Sequence, residues 1–240
     1  MKKITPRWLM LALFLIGGCN LYLPDESSLP LPPAPAPSGD PSSGAGPAPT
    51  PFPAPSPGIC ENPGPDEQCL ALKIVAYQLP SQDPTLTQIQ AEAVVVGINR
   101  VWKPCGLGFS LERFEVVDPG AFKLNYSPDW RSESEQIRTL FRDDTRFLVV
   151  AVGPWSQATI AVTQMPGVGP YGVLVEKDYA SNPLTVGHEL GHYMGLYHYR
   201  DTSNLMNPYI GSSTEGLTSG QCGIAPNTNQ KTWPAMFRNL

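Results

Sequence analysis

His188-Glu189-Leu190-Gly191-His192-Tyr193-Met194-Gly195-Leu196-Tyr197-His198 decides the reading of this chain, because these eleven residues hold all three of its histidines. His188 and His192 stand four apart, so on an α-helix their imidazoles project from one face, one turn apart. Two rings held in that way grip a single metal ion. Gly195 tolerates the left-handed backbone that ends a helix, and the turn brings His198 back as a third ligand from a new direction. Three nitrogen ligands leave a tetrahedral metal with one open position, the arrangement of a reactive rather than a structural site. Glu189, beside the first histidine, is placed to accept a proton from water at that position and to pass it to a leaving group.

Working outward, Asn182-Pro183 opens the helix that carries this motif. Downstream lies Ser203-Asn204-Leu205-Met206-Asn207-Pro208. The full pattern, two histidines around Glu189 and then Gly195 and His198 in register, resembles the metzincin signature. Met206, eight residues past His198 and followed by Pro208, resembles the methionine turn of that group in its matrixin branch. The resemblance implies Zn2+ held by His188, His192 and His198, with Glu189 as general base and Met206 as a structural element under the metal. It implies a zinc-dependent endopeptidase that hydrolyses peptide bonds in extended polypeptides. Two rival readings are a non-catalytic surface-binding lipoprotein with a protease-like zinc site and a peptidoglycan-peptide hydrolase. Tyr199 after the third histidine departs from the better-known branches, as does Tyr209, three past Met206. A surface or packing role is expected for Tyr209. The resemblance covers residues 70–210 as architecture and 187–208 as specific motif.

The rest of the chain reads as alternating strands and helices. Leu70–Tyr77, Leu107–Val117, Phe147–Val152, Ala158–Thr163 and Gly172–Glu176 are expected strands. A long helix is expected to start at Asp83-Pro84 and to stop at Pro104 and Gly106, and a shorter one to start at Ser132 with Glu135 as its capping box and run through Phe141. This is an α/β domain. The resemblance refines it to a twisted, mostly parallel sheet with an antiparallel edge strand, a long backing helix and an active-site helix. Ala158–Gln164 would be the edge strand, its open side free to pair with substrate backbone.

The amino terminus has a different character. Lys2, Lys3 and Arg7 precede an apolar run from Trp8 to Ile16, too short to span a bilayer. Ile16-Gly17-Gly18-Cys19 resembles the lipobox of bacterial lipoproteins. The resemblance implies a signal peptide over 1–18, lipidation at Cys19 and a membrane anchor in the bacterial cell envelope. Asn20 favours the outer membrane or cell surface. Residues 24–65 hold 15 of the 28 prolines and almost no large apolar side chains. Such a stretch buries too little surface to offset its ordering entropy, so residues 19–65 are expected to form a lipidated, disordered stalk and 66–240 the metalloprotease domain. A net charge of -5 without basic clusters excludes nucleic acid as a partner; the expected partners are a protein or peptide substrate and the membrane, and the chain is expected to act as a monomer. Cys60, Cys69, Cys105 and Cys222 are an even set in an exported chain. Of three possible connectivities the preferred one is Cys60–Cys69 with Cys105–Cys222; a thiolate latch from Cys60 onto the metal is the alternative.

Overall fold

Gln68–Tyr77 (β2) is buried along its whole length, as a strand covered on both faces must be. This computed structural model describes residues 19–22, 59–156, 158–211 and 214–238; the expected signal peptide over 1–18 and most of the proline-rich stretch lie outside them. β2 is flanked by β3 (Leu107–Val117) and β4 (Phe147–Val152), both parallel to it. β6 (Val173–Glu176) continues the sheet in parallel, and β5 (Thr159–Thr163) adds antiparallel to β6. A further strand, β1 (Cys19–Tyr22), lies antiparallel on the outer side of β5, giving the order β1-β5-β6-β4-β2-β3. β7 (Phe237–Arg238) pairs with the start of β2. The mostly parallel α/β sheet is therefore as expected, but β5 does not have an open side: the chain itself covers it.

Helices α1 (Gln88–Trp102) and α4 (Pro183–Tyr193) pack on one face of the sheet over Leu70, Leu72, Ile74, Val149 and Val173. α2 (Trp130–Phe141) packs on the other, where Ile137 and Phe141 meet Val75, Tyr77, Leu148 and Val150. α1 and α4 approach so closely that a Cβ on Gly97 would lie 2.4 Å from Pro183 Cβ, and Trp102 Nε1 donates to Gly187 O across 3.3 Å. A one-turn helix, α3 (Lys177–Ala180), leads into α4.

Two helix starts differ from the sequence expectation. α1 begins at Gln88, because Thr87 and Gln90 form a reciprocal capping box that Asp83-Pro84 do not. α2 begins at Trp130 with Asp129 as N-cap, two residues before Ser132. A carboxyl-terminal helix, α5 (Ser219–Thr232), is an element the sequence did not announce. Its glycines and the internal Pro226 depress helical propensity, yet it packs against the domain and its start carries a Thr218–Gln221 capping box. Both preferred disulfides are present, Cys60–Cys69 and Cys105–Cys222, which leaves Cys60 no free thiolate for a metal. Packing begins before residue 66: Ile59 is buried against Gly108, where an added Cβ would meet it at 2.8 Å. No helix among the described residues is long and apolar enough to cross a membrane.

Candidate active site

Asn182 caps α4 by accepting from Leu184 N, and Pro183 fills the first helical position. The helix runs to Tyr193. Gly195, at φ +86°, then reverses the chain, with Gly195 N donating to His192 O and Leu196 N donating back to Gly191 O. That reversal delivers His198, as its spacing predicted. The three imidazoles meet with candidate ligand atoms all within 4.8 Å of one another.

Each helical histidine is oriented by a backbone carbonyl. His188 Nδ1 lies 2.6 Å from Leu205 O and His192 Nδ1 lies 2.7 Å from Leu196 O. A carbonyl only accepts, so both Nδ1 atoms carry the proton and both Nε2 atoms present a lone pair. These Nε2 atoms are buried and have no hydrogen-bond partner. Burial also holds the rings neutral: the His188 pKa lies well below its usual value, and that of His192 is pushed down to about 3 by desolvation and then by His198. His198 is the more open member, and burial lowers its pKa too. Neutral rings with inward lone pairs are what a divalent transition metal requires, so the residues fit the zinc that the motif implies.

The floor under the rings is the methionine turn. Met206 is fully buried, its sulfur packed where a Cβ on Gly191 would come within 2.4 Å. Gly191 is therefore the residue that lets the turn lie against the helix. Asn204 fixes the turn: its Oδ1 accepts from Met206 N, and its side-chain amide exchanges two hydrogen bonds with Gln221 of α5. The turn's own backbone, through Leu205 O, then orients His188. Tyr209 is 54% exposed, in keeping with a surface role.

Glu189 is fully buried, and neither carboxylate oxygen has a hydrogen-bond partner of good geometry. Desolvation pushes its pKa up to about 8, opposed by the Thr163 hydroxyl beside it and the charge of Arg138. A divalent cation next to the carboxylate would drive that value back down. Arg138 and Thr163 are the residues that sequence reasoning missed. Arg138 is a buried cation from α2, donating from Nε to Gly172 O at 2.8 Å and from Nη2 to Val162 O at 3.1 Å. The one signal for it was a charge next to Ile137 on the apolar stripe of α2. A cavity of about 530 Å³ between Tyr171, Tyr193 and Trp233 contains none of the site residues.

The sheet, the paired histidines on α4, the third histidine past a glycine turn and the methionine beneath them define a metzincin-like metal site. The sequence profile of the matrixin family matches residues 73–219, more than half of the chain, and the chain belongs to that family, whose members are zinc-dependent. No curated protein matches it. Among solved structures it is similar to metalloproteinase-II from Bacteroides fragilis, with 14% identity and a TM-score of 0.47. That match covers 68% of this chain and 53% of the other, so it spans about half the length of that protein.

Proposed function

We propose that the protein is a zinc-dependent endopeptidase that hydrolyses peptide bonds within extended polypeptides. His188 and His192 would hold the ion through Nε2, and His198 through a ring nitrogen. When bound, zinc acts as a Lewis acid and lowers the pKa of water to near 7. Glu189 accepts the proton of the attacking water and later donates it to the departing amine nitrogen. Thr163 and Arg138 hold Glu189 toward the charged form that a base needs. The observation that carries this reading is a buried carboxylate without a hydrogen-bond partner of good geometry next to two buried, unpartnered imidazole nitrogens. Leaving such groups unpaired is unfavourable, and a bound metal ion would satisfy the two imidazole nitrogens and supply the polarised water that the carboxylate faces.

The test is cleavage of unfolded protein and of a peptide library by the zinc-loaded chain. Cleavage should vanish with a chelator and in Glu189→Gln. A chain that binds one zinc, leaves these substrates intact and cuts peptidoglycan stem peptides would move the reading to a cell-wall hydrolase. We further propose that Cys19 carries the lipid anchor and holds the chain in the cell envelope. Ile16-Gly17-Gly18-Cys19 supports this, and fatty-acid label should enter the wild type and be lost in Cys19→Ser.

A further inference from the structure

Residues 127–130 lead from β3 into α2, and residues 154–156 follow β4. Between the two segments is a crevice of about 350 Å³, lined by Trp130 and Trp155, by Ser127, Asp129 and Ser156, and by two prolines. None of these residues belongs to the metal site. The crevice lies past the carboxyl ends of parallel strands, where open α/β sheets bind their ligands. Its walls are locked together. Gly153 N donates to Tyr126 O at 2.7 Å, and a Cβ on Gly153 would lie 2.6 Å from the Tyr126 ring. Glu133 pins the first segment, accepting from Asn125 Nδ2 at 2.8 Å and from Asp129 N at 2.7 Å. The second is tied by a hydrogen bond from the Trp155 backbone to the Glu176 carboxylate. Both indoles pack against the core cluster under α2, so the crevice is formed before any ligand arrives.

Trp130 Nε1 and Trp155 Nε1 are shut off from solvent and have no hydrogen-bond partner, whereas a buried indole N–H normally finds an acceptor. An indole nitrogen only donates, so what completes both is oxygen. The crevice also presents the Ser127 and Ser156 hydroxyls, both on exposed residues, and the Asp129 carboxylate. That carboxylate accepts from Arg131 N and Ser132 Oγ and keeps further lone pairs for a donor. Arg131 braces Trp130 at 4.9 Å from its ring without lining the crevice. Among the described residues no cationic side chain lines it, so an anion finds no counter-charge there. An organic cation suits the indole faces but leaves both N–H donors unpaired. A proline-rich peptide offers carbonyls to the indoles and no donor to Asp129. A sugar ring meets every group: its C–H face lies on an indole, and its hydroxyls accept from N–H and donate to carboxylate. We propose that this crevice binds one uncharged pyranose unit of a polysaccharide or of a protein-linked glycan, apart from the metal site.

The experiment follows the indole N–H signals of the full zinc-loaded, nitrogen-15-labelled chain by NMR. The chain has five tryptophans, and Trp130→Phe and Trp155→Phe identify the two signals of interest. The probes are chitotriose, built from the acetamido sugar of cell-wall glycan, and mannotriose, a neutral unit of protein-linked glycans. At least one probe should shift those two signals and leave the other indoles in place, with a Kd of about a millimolar. A response to chitotriose alone names wall glycan as the source, and to mannotriose alone a glycoprotein; a response to both means that the ring itself is read. Each Phe variant keeps an aromatic face and loses the donor, and should weaken binding about tenfold. The double variant Ser127→Ala, Ser156→Ala changes only exposed side chains, so it folds as the wild type does, and it should weaken binding by a similar factor. The readout needs no turnover, so it stands whether or not the chain cuts peptides. Neither sugar moving the two signals at about 50 mM would overturn the proposal. So would a stronger response to choline or to a decaproline peptide, or sugar binding that all three variants leave undiminished.

Discussion

On one side of the cleft stand α4 and the methionine turn; on the other stand β5 and the strand added to it. On the first side the fixings are redundant. His188 and His192 are each held by a backbone carbonyl, the turn is held by the Asn204–Gln221 amide pair, and Met206 seats against Gly191. On the second side the outermost strand has four residues and a register shift, and β5 is held by its ladder to β6 and by one bond from Arg138 to Val162 O. The difference agrees with the proposed function, in which ligand geometry stays fixed while the rim admits a polypeptide.

The largest effect is expected on the fixed side. Glu189→Gln should lower kcat by about 10²–10⁴-fold while zinc stays at one per chain by elemental analysis; near-wild-type turnover would remove proton transfer from the role of that wall. The same variant tests how burial of the base affects stability. The metal-free Glu189 pKa is raised from 4.5 to about 8, so the folded state binds more protons than the unfolded one between those values. The stability this gives is present below pH 4.5 and lost as pH rises through about 8. Metal-free Glu189→Gln should therefore melt higher than wild type at pH 8 and equally at pH 4, by thermal scan. His192 acts in the opposite sense. With its pKa depressed from 6.5 to about 3, metal-free stability should fall as the solution is acidified from pH 6.5 toward 3.

Next in size is the floor. Asn204→Ala strands the Gln221 amide and Met206 N–H, which should destabilise the domain by about 1–3 kcal/mol and weaken zinc binding about tenfold by chelator competition. Equal zinc affinity would mean that the two walls differ less than their hydrogen bonds indicate. On the β5 side, Arg138→Gln removes the cation that lowers the Glu189 pKa. It should move the acid limb of the kcat/KM profile to higher pH with zinc content unchanged; an unmoved limb would confine Arg138 to bracing β5. The smallest effect is expected at exposed Tyr209, where Tyr209→Phe should leave stability within about 0.5 kcal/mol and kcat unchanged. A large loss of kcat would bring that side chain into the chemistry.

The fixed wall was also the legible one. Its ligands are close in sequence, so helical period and one glycine turn are enough to assemble them, and Gly195 adopts the positive φ that this required. Strands with continuous apolar runs, such as Phe147–Val152, were equally plain. What escaped the reading depends on distant partners. Arg138 meets the site only because α2 crosses the sheet beside β5 and β6. α5 is helical by packing against a propensity that opposes it, and β1 lies where composition indicates only leader and spacer. Thr87 outcompeted Asp83 as a helix start because Gln90 completes its box, a contest between two adjacent signals that period alone does not decide.

Gln221 and Cys222 are neighbours on α5, and they face different duties. Gln221 grips the methionine turn, while Cys222 is bonded to Cys105, 117 residues away, just past the end of the backing helix. A single sulfur–sulfur bond thus underwrites the footing of the metal floor. Opening it would leave α5 fastened by noncovalent packing alone, and the Asn204 clamp with it. The floor beneath the three histidines is thus braced from a point that touches none of them.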